Sequence, residues 1–281
     1  MKKMKLLTYI QQNYGLPRRV ITDAIKEKRI FLDGQPVEGY ATILKYGQKL
    51  EAKIRDKTIN DTITQTEPET DIVFFHKPVG YVCSKQDKHN KTIYRLLGDQ
   101  YKNYYYIGRL DKESRGLVML TNDPKVVHQY EHPRHKIEKE YIVTVKVRDQ
   151  DFVKRLIEGT KDIRHKQDSQ EDFIALVNKL FMKWLLVDED GKLAKKTHTS
   201  ADLLRIQSME LVNALDSQLR FLQIQEPEQG KYFVVRMILN EGKKRHIRRL
   251  WSAIWGEVVD LVRVRIGEYN IDKLPEGEQR K

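Results

Sequence analysis

Gly108-Arg109-Leu110-Asp111-Lys112-Glu113-Ser114-Arg115-Gly116-Leu117 is a polar loop set between two apolar runs, and its reading decides how the chain folds. Tyr104 to Leu110 carries the aromatic and aliphatic residues of a strand, and Gly116 to Leu120 does the same on the far side. Between them, Asp111 to Arg115 holds only charged and hydroxyl side chains. The glycines on either side free the backbone for a tight presentation of Asp111. An aspartate at a strand end, flanked by Arg109, can serve as nucleophile, as general base or as half of a structural ion pair. Spacing alone leaves all three open.

Outward from this loop, extended runs recur. Ile72 to Phe75, Tyr232 to Leu239 and Val258 to Ile266 read as strands, and Lys243 to Trp255 has helical character. Tyr141, Val143, Val145 and Val147 fall on one face of a further strand, with Ile142 and Thr144 on the other. Strands with interspersed helices predict an α+β domain over 71–281, built on a mixed, mainly antiparallel sheet. An unusual insertion covers about 160–200, where Phe173 to Val187 reads as a buried helix and Asp188-Glu189-Asp190-Gly191 as a turn.

Upstream lies a smaller α/β module, residues 1–58. Leu6, Leu7 and Ile10 follow helical spacing, and Val20, Ile21, Ala24 and Ile25 repeat it after Pro17. Asp33-Gly34 marks a hairpin turn between Ile30-Phe31-Leu32 and Gln35-Pro36-Val37, and Lys49 to Ile54 is a last strand. Arg18, Arg19, Lys26, Lys28 and Arg29 crowd the second helix. Residues 59–70 continue a polar stretch that begins near Arg55 and read as a linker. No internal repeat or low-complexity tract interrupts the pattern.

Composition narrows the function. The 281 residues carry 52 Lys and Arg against 40 Asp and Glu, a formal charge of +12 that favours a polyanionic partner such as RNA or DNA. A single cysteine, Cys83, excludes an intramolecular disulfide framework and reads as a small buried side chain. No signal-peptide pattern or membrane-length apolar run is present, so a soluble, cytoplasmic protein is expected. His128, His132 and His135 are too loosely spaced for a metal site, with Pro133 breaking any helix between them. Tyr104-Tyr105-Tyr106 reads as core rather than as a stacking platform.

The quoted loop resembles the G-R-L-D-x-x-[ST]-x-G-L signature of the RsuA family of rRNA pseudouridine synthases. Further segments follow in the order the family has them: Lys77-Pro78-Val79-Gly80, Glu138-Lys139-Glu140-Tyr141-Ile142-Val143, Glu241-Gly242-Lys243-Lys244-Arg245-His246-Ile247-Arg248-Arg249-Leu250, and Leu261-Val262-Arg263-Val264-Arg265-Ile266-Gly267. The N-terminal module is similar to the S4 RNA-binding domain, with Pro17 where a serine is usual. His246 stands where the family has glutamine.

The resemblance implies isomerisation of a uridine to pseudouridine in rRNA, by a monomer using neither metal nor organic cofactor. Asp111 would be catalytic, either attacking the anomeric carbon or removing the C2′ proton to give a glycal. A flipped uracil would stack on Tyr141, with Leu261 as the floor on its other face. Arg248 would pair with Asp111, and Arg109 would bind the RNA backbone or fill the gap the nucleotide leaves. Arg245, Arg249 and Arg263 would join the basic residues of the second helix in binding RNA. Glu138-Lys139-Glu140-Tyr141, the Lys112-Glu113-Ser114 segment and Leu120-Thr121-Asn122 look closest to the branch that modifies 23S rRNA, with 16S rRNA the alternative. A non-catalytic assembly factor would show decay at Asp111, Tyr141 or Arg248, and all three are intact. An RNA methyltransferase would need a methyl-donor site, which the sequence does not display.

Overall fold

Gly15 and Pro17 separate the first two helices of the chain. In the computed structural model, which describes residues 4–64, 70–147, 169–183, 185–194, 201–212, 220–224 and 232–281, helix α1 (Leu6–Tyr14) ends on Gly15 in the left-handed conformation (φ 66). Helix α2 (Arg18–Lys26) starts directly after Pro17. Strands β1 (Ile30–Leu32), β2 (Gln35–Pro36), β3 (Lys49–Ile54) and β4 (Lys57–Thr62) form an antiparallel sheet in the order β2-β1-β3-β4. Asp33 and Gly34 both take positive φ, the mirror-image turn that a two-residue hairpin needs. Leu6, Ile10, Ile21 and Ala24 from the helices share one core with Ile30, Leu50, Ile54 and Ile59 from the sheet. β4 runs into the stretch read as linker, because Arg55, also at positive φ, turns the chain back and drives Ile59 into that core.

The chain divides into two compact units: Met1–Ile72 with Leu97–Tyr105 and Leu120–Val127, and Val73–Leu96 with Tyr106–Met119 and His128–Lys281. Within the first, Tyr104 donates to Asp71 at 2.7 Å and Gln11 donates to the Tyr105 hydroxyl at 3.0 Å. The tyrosine run is therefore half-buried and hydrogen-bonded, where full burial in a core was expected. Arg18, Arg19, Lys26 and Lys28 are exposed. Arg29 differs from them, since its guanidinium bonds Glu27 and the Lys53 carbonyl.

The remaining elements are β5 (Ile72–Lys77), β6 (Tyr81–Val82), β7 (Lys91–Thr92), α3 (Tyr94–Leu97), β8 (Tyr105–Ile107), β9 (Arg115–Thr121), α4 (Pro124–Glu131), β10 (Lys139–Val147), α5 (Gln170–Phe181), β11 (Leu185–Val187), β12 (Asp202–Leu204), β13 (Ser208–Leu211), β14 (Tyr232–Leu239), α6 (His246–Ser252), β15 (Gly256–Ile266), β16 (Tyr269–Asn270) and β17 (Gln279–Arg280). A nine-stranded sheet runs β13-β14-β10-β15-β9-β5-β17, with β16 on β15 and β8 on β9. β10 pairs antiparallel with β14 and β15, as do β13 with β14, β16 with β15 and β17 with β5, whereas β15 meets β9 in parallel. The architecture is α+β. β10 lies between β14 and β15, and both faces from Tyr141 to Val145 are buried, which explains its nearly continuous apolar character.

Two helical expectations change. Phe173 to Val187 divides into α5, opened by a Ser169–Asp172 capping box, and the strand β11 paired with β12. In Lys243 to Trp255 only His246–Ser252 is helical, because Arg245 sits in the left-handed conformation at its start and Trp255 follows suit beyond its end. Of the 160–200 stretch, residues 160–168, 184 and 195–200 lie outside the described ones. Among the described residues no helix is long and apolar enough to cross a membrane.

Candidate active site

Asp111 lies in the middle of the loop between β8 and β9, and this loop meets α6, β10 and β15 around a cleft of about 690 Å³. Tyr141, Leu261, Arg109, Arg245 and Arg248 line the same cleft. Seven Lys and Arg residues line it against three carboxylates, Asp111, Glu131 and Glu241, so the cavity suits an anionic ligand.

Two glycines let this loop form. Gly108 takes φ +70, and a Cβ there would lie 3.1 Å from the Arg263 guanidinium. Gly116 takes φ +113, and its Cβ would stand 2.4 Å from the Arg263 carbonyl oxygen on β15. Only a glycine admits so close an approach of β9 to β15 at the pairing of Gly116 with Arg263.

Arg263 is the brace of the loop. It is 1% exposed and donates to the carbonyls of Leu117 (2.8 Å), Gly108 (2.9 Å) and Arg109 (3.3 Å), tying both arms together. This corrects its expected role in RNA binding, because its donors are taken by backbone carbonyls inside the protein. From another side, buried Lys77 donates to the Ser114 carbonyl at 2.5 Å and the Pro78 carbonyl at 3.0 Å. Burial above all lowers the Lys77 ammonium to about 8; the charge of Arg263 adds to this, and those of Asp111 and Glu113 oppose it. Gly80 donates to the Lys112 carbonyl at 2.8 Å, and buried Cys83 accepts from the Leu110 amide at 3.5 Å.

Helix α6 holds the loop's outer turn. Arg248 donates to the Glu113 carbonyl (3.0 Å), the Ser114 hydroxyl (3.3 Å) and the Val258 carbonyl (2.9 Å). Arg245 pairs with the Glu113 carboxylate at 3.0 Å. The direct Arg248–Asp111 pair expected from sequence is replaced by this grip on the residues that follow Asp111. The two charges still sense each other: burial lowers the Arg248 guanidinium below its ordinary value, and Asp111 is among the acids that counter the shift. Arg249, also assigned to RNA from sequence, is 5% exposed and bonds carbonyls and Asp202 within the protein. Its guanidinium is structural, since adjacent helix positions point about 100° apart.

Tyr141 on β10 and Leu261 on β15 come to the cleft from adjacent strands, at 8% and 5% exposure, and offer an aromatic face and an aliphatic surface. Lys139, two residues before Tyr141 and so on the same strand face, lines the cleft as well. Its ammonium donates to the Ile137 carbonyl at 3.2 Å and is lowered to about 8, mainly by burial and then by Arg263, with Glu131 opposing. The two-residue spacing from Tyr141 would have revealed it in the sequence. Glu131, which accepts from the Gly108 amide at 2.8 Å, had no such signal, because the contact joins α4 to a loop in tertiary space. His246 is buried, and its imidazole is lowered to about 4 by burial, with Lys243 and Arg249 adding to the shift. Among the described residues no group of His, Cys, Asp and Glu is placed to hold a metal ion.

The profile of the RNA pseudouridylate synthase family matches residues 71–253, which contain all of the cleft residues except Leu261 and Arg263. The chain belongs to that family. A ribosomal small subunit pseudouridine synthase A from Yersinia pestis is 26% identical over 280 residues, covering 99% of this chain and 94% of its own length. An uncharacterized RNA pseudouridine synthase of Helicobacter pylori is 30% identical over 210 residues, 74% of this chain and 66% of its own length. A crystal structure of a pseudouridylate synthase is similar in fold, with TM-score 0.50 and 22% identity over 99% of this chain and 95% of the other. This pseudouridine synthase is an isomerase acting on RNA. The reaction breaks the bond between ribose C1′ and uracil N1 and joins C1′ to C5, so nothing is consumed. A base turned in this way must leave its stack and enter a pocket, and the cleft supplies polar and apolar walls for it.

Proposed function

We propose that this enzyme modifies a uridine of ribosomal RNA and that Asp111 is its catalytic carboxylate. The observation that carries the assignment is the presentation of Asp111 in a cationic cleft, on a loop tied by Arg263, Lys77 and Arg248. Asp111 acts on the ribose, by attack at C1′ or by removal of the C2′ proton. Tyr141 and Leu261 hold the flipped base, and Arg109, exposed at the rim, meets the RNA backbone. The module at the N-terminus, similar to the S4 domain, delivers the RNA through Arg18, Arg19, Lys26 and Lys28. The enzyme works in the cytoplasm as a monomer, with no cofactor.

The small-subunit rRNA is the better supported target, because the Yersinia relative aligned over nearly the whole chain carries a small-subunit name. The 23S reading rests on short segments around Asp111 and Tyr141 and is the second candidate. Carbodiimide primer extension across both rRNAs, from cells with and without this gene, decides between them. One uridine in 16S rRNA should lose its stop in the deletion strain. Loss of a stop in 23S rRNA would move the assignment to the large subunit, and unchanged maps of both would refute an rRNA substrate.

A further inference from the structure

Helix α6 is gripped from two directions. On one side Arg245 and Arg248 hold the loop that follows Asp111. On the other, Arg249 reaches into the β11–β12 hairpin, donating to the Asp188 carbonyl at 2.8 Å, to the Asp202 carboxylate at 2.7 Å and to the Val187 carbonyl. Further contacts fasten the same hairpin to α6 and its approach. Lys243 donates to the Leu203 carbonyl at 2.6 Å. The turn that follows β11 lies flush on the helix, since a Cβ on Gly191 would stand 2.7 Å from the Ser252 Cβ. Phe181, at the end of α5, meets Trp251 edge-on with ring centroids 5.2 Å apart.

A helix of two turns has little stability of its own and takes its position from what it packs against. The hairpin is therefore the fixed support against which α6 presents Arg248 to the Asp111 loop. We infer that Arg249, anchored by Asp202 and the carbonyls of Val187 and Asp188, is a positioning residue for pseudouridylation: the segment inserted between β10 and β13 sets the catalytic loop through α6. The inference rests on the reading of Asp111 as the catalytic carboxylate. It assigns the insertion to the chemical step and not to RNA selection.

The split between rate and affinity tests it. Full-length Arg249→Lys keeps the charge and loses the planar fork, and Asp202→Asn keeps the shape and loses the ion pair. Single-turnover pseudouridine formation at saturating rRNA transcript, transcript affinity by filter binding and melting temperature are measured on both, with Asp111→Asn alongside. Arg249→Lys should slow the chemical step by about 10- to 100-fold, the scale of an ångström-sized misplacement, with affinity unchanged. Asp202→Asn should fold normally and slow the step by a smaller factor, about threefold to tenfold, because one of several anchors is weakened. Wild-type single-turnover rate in a folded Arg249→Lys protein overturns the inference, as does weakened affinity with the saturated rate preserved. Should Arg249→Lys fail to fold, a wild-type rate in Asp202→Asn overturns it equally. An active Asp111→Asn protein would instead refute the reading of Asp111, whatever the other two variants do.

Discussion

In the proposed reaction Asp111 works in a cleft whose lining holds more cations than carboxylates. Burial above all, with the charges of Lys243 and Arg249 adding to it, lowers the His246 imidazole to about 4, against 6.5 for the ordinary side chain. Between those values the unfolded chain binds more protons than the folded one, so stability falls as pH drops through the window. The full loss is about 3 kcal/mol at 1.36 kcal/mol per unit. His246→Gln should remove this acid sensitivity, flattening urea-derived stability between pH 6.5 and 4. An unchanged pH dependence in the variant would refute the buried neutral imidazole. Asp111, Tyr141 and Arg248 were legible in the sequence because their segments match a family pattern in order. Arg249 and Arg263 were misread because a basic residue in a motif announces charge, whereas its fate depends on whether carbonyls wait in the fold to take its donors.

Among the elements, β9 and β15 govern the site, since their parallel contact sets Arg263 beneath the Asp111 loop. Gly116→Ala would drive a methyl group to 2.4 Å from a backbone oxygen at a φ of +113, with no flexible side chain to give way. It should cost upwards of about 3 kcal/mol in chemical denaturation, through strain and a displaced strand. Gly39→Ala, which meets open space, serves as the control and should lie within about 0.5 kcal/mol of wild type. A Gly116→Ala protein as stable as the control would show that the two strands are not locked at this point. Most strands were readable from apolar runs and turn residues. β4 was not, because Lys57–Thr62 offers one buried side chain, Ile59, and otherwise polar residues. The break between α5 and β11 was hidden too, since a continuous apolar run has the same appearance in a helix and in a strand that finds a partner.

On the scale of the whole molecule, the excess of basic residues behind the charge of +12 includes the cleft lining and the exposed Arg18, Arg19, Lys26 and Lys28. Replacing Arg18, Arg19, Lys26 and Lys28 together by alanine should weaken rRNA binding and lower its salt dependence. If all four meet phosphates, the slope of log K against log salt should fall by about 3. Because the four side chains are exposed, the melting temperature should hardly move. An unchanged slope would remove the N-terminal module from RNA docking. The composition made the polyanionic partner legible, but not the partition of that charge, since surface and buried cations count alike in a sequence.

The catalytic assignment is tested most directly by Asp111→Asn, which keeps the size of the side chain and removes its charge. Release of tritium from rRNA labelled at uracil C5 follows each turnover, because C5 gives up its hydrogen as it joins the ribose. The variant should bind the transcript as the wild type does and release no tritium above background. Sustained release by a folded Asp111→Asn enzyme would contradict the account.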